Sequence, residues 1–312
     1  MEKLEFSAIE IAKTIGQPID SNIPVPIELQ EICDLETAEF GEDVYYFASY
    51  DDNTDTVYTA ADSGEVTSNK KSPSGATALT FVGYQSDLAY VTIHELQDAK
   101  DQTALARKKA AITRSMDKQD VRKLLDTILA IASQEVELTS GQDLYDGILA
   151  MVHKVIDFGD NFILLVGSTV WEAINTYDKE NADNFYYRVG IKEMLAQNGI
   201  KLVKVTGSTI TLDSTSPVPV LAATKAILVA RDSKLNVGGK PCLFVRRKIN
   251  PAVAQLLGIE PNEAQRLITT IGGLQVINNH KNIMGFGVVG YESVIEAITN
   301  YKAISWSDTL VS

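Results

Sequence analysis

The sequence predicts a mixed α+β fold, and three features carry that reading. Residues 44–93 hold four runs of strand composition, a helix with an apolar stripe follows within residues 105–134, and from residue 143 onward helical and strand patterns alternate without an internal repeat. With 312 residues, 45% hydrophobic and 22% charged, the chain has the composition of an ordinary globular protein. It is long enough to bury one large core or two smaller ones.

Taken in order, residues 1–40 carry one short helical pattern near Ser7–Ile15, then Pro18, Pro24 and Pro26, which stop a continuing helix and favour extended backbone. The expectation is an arm with little core of its own. Next come VYYFASY, TVYTAA, ATALTFVGY and LAYVTI, rich in the Val, Thr, Tyr and Phe that suit a pleated surface. Between the second and third of them, DSGEVTSNKKSPSG has turn composition and carries Lys70 and Lys71. Together these runs read as a long β-hairpin with a polar tip. Such a hairpin has few local residues to bury it and expects a partner surface.

Residues 104–139 contain neither Gly nor Pro, and Val121, Leu124, Leu125, Ile128, Leu129 and Ala132 recur at the three-and-four spacing of one helical face. This is the predicted spine helix. Beyond it, residues 143–156 are helical by period, and NFILLV (161–166) is a short apolar run that reads as a buried strand. Thr169 and Glu172 have capping-box spacing at the start of TVWEAINTYDKE, and Gly199 is placed to end a helix over residues 190–198 as a left-handed cap. IKLVKVTG, PVPVLAATKAILVARDSKL and GGKPCLFVRRKI supply further strands. Helix is predicted over PNEAQRLITTI (261–271), and closing strands over GFGVVG and KAISWSD on either side of a helix from Glu292 to Tyr301.

The net charge of −13 is concentrated at one end. No Lys or Arg occurs between Thr14 and Asn69, where Asp20, Glu28, Glu31, Asp34, Glu36, Glu39, Glu42, Asp43 and five further carboxylates accumulate. Two readings stand side by side: a solvated arm kept extended by its own repulsion, or an arm lying across basic surface of another subunit. The basic runs at residues 107–123 and 231–248 are the candidate partners in the second case. The acidic balance argues against a sequence-reading nucleic-acid binder. No apolar stretch approaches the roughly 20 residues of a membrane span, and no membrane partner is expected. Cys33 and Cys242 are far apart without C-x-x-C spacing, so they read as small buried hydrophobes.

Motifs for catalysis are sparse. GFGVVG, from Gly285 to Gly290, is a literal G-x-G-x-x-G ahead of a helix-like YESVIEAI, and an NAD-linked enzyme built on it is the alternative from another class. The fingerprint also needs a βαβ unit and a ribose-binding acid on a second strand, for which too little sequence follows. A turn-and-packing role for these glycines is the plainer reading. His94, His153 and His280 have no partner at metal spacing, and no nucleophile–base–orienter set assembles. No cofactor, metal or catalytic residue is expected.

The order of elements, with DLYDGILAMVHKVIDFGDNFILLVGSTVWEAINTYDKEN after the spine, AILVARDSKLNVGGKPCLFVRRKI as returning strands and VVGYESVIEAITNYKAISW at the close, resembles the major capsid proteins of tailed bacteriophages, which share the Johnson fold. The resemblance covers most of the chain as architecture and rests on element order, not on invariant residues. It implies an N-terminal arm (1–43), an extended loop (44–95), a peripheral domain with the spine helix (96–160 and 240–312) and an axial domain (161–239). It further implies self-assembly into hexamers and pentamers of an icosahedral virion shell around double-stranded DNA, with a portal as partner. Because the sequence leaves almost no room after Met1 for a built-in scaffolding segment, a separate scaffolding protein, or none, is expected. An encapsulin nanocompartment is the alternative within the same fold. Lys70, Lys71, Arg107, Lys108 and Lys109 are the candidate intersubunit contacts. Some family members cross-link such a loop Lys to an Asn of the next subunit; here the two lysines are more simply a soluble charged tip.

Overall fold

The computed structural model describes residues 25–49, 75–92, 103–180, 189–205, 207–211, 216–233, 239–256, 266–278 and 281–311. Along the chain these form α1 (Ile27–Ile32), β1 (Cys33–Ala38), β2 (Val44–Ser49), β3 (Gly75–Thr80), β4 (Val82–Gln85), β5 (Ala89–Thr92) and the spine helix α2 (Thr103–Leu129). There follow α3 (Leu144–Val155), β6 (Gly159–Val166), α4 (Ser168–Glu180), α5 (Ile191–Gln197), β7 (Lys201–Lys204), β8 (Thr209–Ile210) and β9 (Val218–Pro219). The last elements are β10 (Ala226–Ser233), β11 (Cys242–Arg247), α6 (Pro251–Leu256), β12 (Arg266–Asn278), β13 (Lys281–Ile298) and β14 (Ile304–Ser307). The mixed α+β class is as expected. The Ser7–Ile15 helix, TVYTAA, Lys70 and Lys71 lie outside the described residues.

Two sheets share the spine helix. The four-stranded sheet runs β14-β10-β6-β7, so one sheet is built from strands on both sides of residue 240. It is buried on both faces, which is why NFILLV and AILVA are continuous apolar runs. Leu164, Val166, Leu228 and Ala230 face α3, α4 and α5, where Ile148, Met151, Ile174 and Met194 complete one core. Ile163, Leu165, Ile227 and Val229 face the other way, toward Val121, Leu124, Leu125 and Ile128 of α2. Four of the six residues of the apolar stripe read from the sequence are therefore buried, Leu129 is partly buried at the helix end, and Ala132 lies beyond that end and is exposed. Trp306 closes this core, its indole N–H donating to the Ile131 carbonyl at 2.9 Å beyond the end of α2.

The second sheet is organised on β13, an 18-residue strand. One of its edges is lined by β12 and then β11, the other by β5 and then β4, and β1 adds to β11 in parallel as the outer strand. Two helix predictions fail here. RLITTI within the 261–271 segment is the start of β12, where Ile268, Thr269, Thr270 and Ile271 follow the β-branched preference for a ladder once β13 is available to pair with. Glu292–Tyr301 is not helical either: β13 continues to Ile298 because three strands offer backbone partners over its second half. Period two then sorts the side chains, with Val294 in the core beneath α2 and Ile295 in a smaller cluster with Val245, Leu243 and Ala38 on the opposite face.

Local signals held unevenly. Asp143 caps α3 in a reciprocal box, accepting from Asp146 N at 3.0 Å. Gly199 ends α5 at φ +64. At α4 the anticipated box is displaced, since the helix begins at Ser168 and the Thr169 N–H donates to Ala223 O at 3.0 Å, a tertiary partner in place of a side-chain cap. The arm departs furthest from its expected character. Leu29, Ile32 and Cys33 are fully buried in the spine-helix core, so residues 27–38 belong to the body, with helix starting directly after Pro26. Strands β2 and β3 pair antiparallel from Val44↔Thr80 to Ser49↔Gly75 as the two arms of a hairpin, but β4 and β5, read as part of the same hairpin, pair with β13 of the body because its free edge completes their ladders.

Gly290 of β13 packs directly against the spine helix. A Cβ there would lie 2.5 Å from Met116 Sδ and 2.7 Å from Ile112 Cγ2, while the Gly290 N–H is held by Ser86 Oγ at 2.8 Å. Substitution Gly290→Ala is expected to destabilise the protein by about 1–3 kcal/mol through overpacking. Gly207→Ala, which would enter open space, should leave the urea midpoint unchanged; equal midpoints for the two variants would show that the helix–strand contact is not this tight.

Candidate functional site

The most unusual chemistry among the described residues is a buried set of charges where α2 crosses the second sheet. In the ladder, Glu292 is opposite Arg266 of β12 and Val294 is opposite Arg246 of β11, so the two strands abut on one edge of β13 with their arginines beside Glu292. Arg266 Nε donates to Glu292 Oε2 at 2.6 Å, Nη1 to Asp117 Oδ1 at 2.6 Å and Nη2 to Asp120 Oδ2 at 2.9 Å. Arg246 Nη2 donates to the same Asp120 oxygen at 3.1 Å, and its Nε lies 3.7 Å from Glu292 Oε2. The side chains of Asp120 and Glu292 are 0% exposed and those of the arginines at most 2%, so the whole group is desolvated. Two guanidiniums balance two fully buried carboxylates, with Asp117 at the rim.

Burial and the neighbouring Glu292 push the Asp120 carboxyl well above the usual carboxylate range, opposed by Arg266 and Arg246. Burial alone would lower the Arg266 guanidinium, but Glu292 and Asp120 hold it above its ordinary value. Four residues further along β13, Glu296 is raised to about 9 by burial and then by Asp120, and Tyr84 donates to its Oε2 at 3.3 Å. Tyr84 is raised in turn by burial and by Glu296. Glu296 is therefore mostly protonated at neutral pH. What the arrangement does is clamp the spine helix to three strands at a fixed register. Sequence reading missed it, although Arg246 within CLFVRR and Glu292 within VVGYESVI are charges inside otherwise apolar strand patterns.

The glycine motif has a structural explanation. Gly285, Gly287 and Gly290 are opposite Leu274, Ile271 and Ile268 of β12, in the middle of a strand paired on both edges over residues 285–288. A dinucleotide fingerprint requires a strand-to-helix turn at this point, and none is present. Among the described residues no group of three or more His, Cys, Asp or Glu side chains could hold a metal ion, and no described helix is long and apolar enough to cross a membrane.

The candidate contact residues separate. Arg107 and Lys108 are exposed on the first turns of α2, whereas Lys109 is turned inward, only 8% exposed, with burial lowering its ammonium pKa. The acidic arm does meet the basic run at 231–248, but within its own chain. Glu31 pairs with Arg231 (3.4 Å) and Lys201 (2.7 Å), Glu39 with Lys248 (2.5 Å) and Asp43 with Arg247 (3.0 Å), while Asp34 accepts from the Lys240 N–H at 2.9 Å. The expected charge complementarity is present, and for residues 31–43 its partner is intramolecular. The physical reason is β1, whose parallel pairing with β11 carries these carboxylates onto the basic strand.

Neither a family model nor a curated protein sequence matches the chain. Solved structures do. A structure of Microbacterium phage Oxtober96 superposes at TM-score 0.53 with 13% identity, covering 96% of this chain and 97% of that one. The capsid of Cyanophage P-SCSP1u gives 0.51 at 9% identity over 93% and 91%. The fold is the phage-capsid (Johnson) fold. Encapsulins have it too: the SrpI encapsulin of Synechococcus elongatus superposes at 0.50 with 10% identity over 98% and 96%. In a chain with the Johnson fold, the charge cluster sits where the spine helix is fastened to the sheet.

Replacing Arg266 by Met removes one partner of Asp120 and Glu292 and leaves buried charge uncompensated. A loss of about 3–5 kcal/mol is expected from chemical denaturation, and a loss below the cost of an ordinary surface substitution would mean that the cluster does not hold the helix. Glu296 yields a pH signature with a defined sign. Its folded pKa, about 9, lies above the ordinary carboxylate value of 4.5, so the folded state retains a proton that the unfolded state has released, and stability falls as pH rises between those values. Glu296→Gln should therefore gain stability over the wild type increasingly from pH 5 to pH 9 and level off above it; parallel stability curves for the two proteins would contradict the assignment.

Proposed function

We propose that the chain is the subunit of a closed protein shell, a major capsid protein assembling as hexamers and pentamers of an icosahedral virion that encloses double-stranded DNA. The observation that carries this reading is superposition over more than nine-tenths of both chains on phage and shell structures at TM-scores of 0.50 to 0.53. Surface chemistry supports it. Among the described residues, five of the nine exposed large hydrophobic side chains, Ile27, Leu35, Phe40, Val82 and Leu88, fall within the proposed arm (1–43) and extended loop (44–95), segments a neighbouring subunit would cover, and the other four, Ile156, Val253, Tyr291 and Tyr301, lie in the proposed peripheral domain. In this reading residues 96–160 and 240–312 form the peripheral domain and 161–239 the axial domain. DNA is held by enclosure, in keeping with an acidic chain that lacks a basic footprint. A portal and a separate scaffolding protein are the further partners proposed. An encapsulin shell is the second reading, supported by the SrpI superposition, which spans 98% of this chain.

Electron microscopy of the purified protein is expected to show closed particles, and a monodisperse monomer under all assembly conditions would overturn the shell reading. Nuclease-protected DNA in particles recovered from the producing host favours the capsid, and a protein cargo with no DNA the encapsulin.

Lys70, Lys71, Arg107 and Lys108 remain the proposed intersubunit contacts; Lys109 is withdrawn from that set because it is buried. If exposed cations on α2 meet acidic surface of a neighbour, assembly followed by light scattering should weaken with salt, since such pairs are screened over about 8 Å at physiological ionic strength. The double variant Arg107→Gln/Lys108→Gln should be weaker and less salt-sensitive. A variant that keeps the wild-type salt slope would sink this contact.

A further inference from the structure

Cys33 and Cys242 are separated by most of the chain, yet the fold sets them directly opposite each other in the parallel pairing of β1 with β11. Adjacent strands in register lie about 4.8 Å apart, inside the range of Cα separations that a disulfide spans. Both cysteines are free and 0% exposed, and both belong to the core cluster beneath the spine helix, with Cys242 among the neighbours that raise the Cys33 thiol after burial itself. We propose that Cys33 and Cys242 form a redox site at which oxidation by a small disulfide oxidant links β1, and with it the N-terminal segment, covalently to the body of the subunit.

The chemistry is thiol–disulfide exchange. The Cys33 thiolate attacks one sulfur of glutathione disulfide, forming a mixed disulfide and releasing one glutathione thiolate, which takes up the proton that Cys33 lost. Cys242 then attacks the Cys33 sulfur of the mixed disulfide, forming the Cys33–Cys242 bond and releasing the second glutathione in the same way. Two protein thiols are oxidised and one glutathione disulfide is reduced to two thiols.

Burial raises the Cys33 thiol well above its ordinary value and so keeps the thiolate scarce in the closed state. Access is supplied by position: β1 pairs with β11 on one side only, as the terminal strand of its sheet, so it can open locally without disturbing β13. Reaction is consequently slow in the closed fold and accelerates with mild denaturant or rising pH. Once formed, the bond closes a loop of most of the chain.

Purified full-length protein incubated with glutathione disulfide at pH 8, with and without urea below the unfolding transition, tests this. Expected are loss of both thiols on titration after denaturation, an intact mass lower by two hydrogens, a peptide joining residues 33 and 242, faster reaction in urea, and a melting temperature raised by about 5 °C. Cys33→Ser and Cys242→Ser should each form no intramolecular bond and keep the unoxidised melting temperature. Two free thiols after oxidation in urea, a stable glutathione adduct in place of the internal bond, or a link between two chains would each overturn the proposal.

Discussion

Desolvated charge is the constraint on which the rest of this structure depends. Asp120 on the spine helix, Arg246 on β11, Arg266 on β12 and Glu292 on β13 come from four separate elements and are buried together. None of them is tolerable there without the others, because an unpaired ion in a dry interior costs several kcal/mol. A slip of one residue in β12 or β13 would send an arginine to the opposite face, and a change in helix phase would withdraw Asp120. Hydrophobic burial alone would accept several neighbouring registers of two β-branched strands under an apolar helix. The ion cluster accepts one, and it thereby fixes how the spine helix lies on the β13 sheet.

The same sheet explains how an acidic N-terminal segment becomes part of the body. Leu29 and Ile32 bury themselves under the spine helix, β1 adds in parallel to β11, and Glu31, Glu39 and Asp43 then lie beside Arg231, Lys248 and Arg247. These ion pairs are partly exposed and contribute little stability one by one. Their role is orientation, since they line the strand whose backbone pairing and buried Cys33 supply the attachment. The large apolar side chains left over at Leu35, Phe40, Val82 and Leu88 belong to segments at the margin of the core.

Local sequence determined much of this protein. The apolar period of Val121, Leu124, Leu125 and Ile128, the helical period that starts at residue 143, the unbroken run NFILLV, the stop at Gly199 and the pairing of VYYFAS with GATALT all depend on residues close in sequence or on simple alternation, and all hold. The resemblance to the Johnson fold rested on the order of those elements, and the element order survived even where individual assignments did not. Local periodicity fails at 266–271 and 292–298, where helix-compatible sequences are strands because β13 offers or receives ladder partners from four other strands. Propensity is a preference of tenths of a kcal/mol per residue, and a filled hydrogen-bond ladder outweighs it.

What only the tertiary structure decided are the coincidences of distant residues. Nothing in the sequence joined Arg246 to Glu292 until β11 and β13 enclosed them, Lys109 looked like part of an exposed basic run until helix phase turned it inward, and Gly290, read as a turn-and-packing glycine, found its packing partners in Met116 and Ile112. Cys33 and Cys242 looked unrelated until a parallel register set them side by side. The physical reason is common to all four. Whether a charge is solvated, a glycine crowded or a thiol paired depends on which segments pack together, and that choice is made by burial and register over the whole chain, beyond the reach of any local pattern.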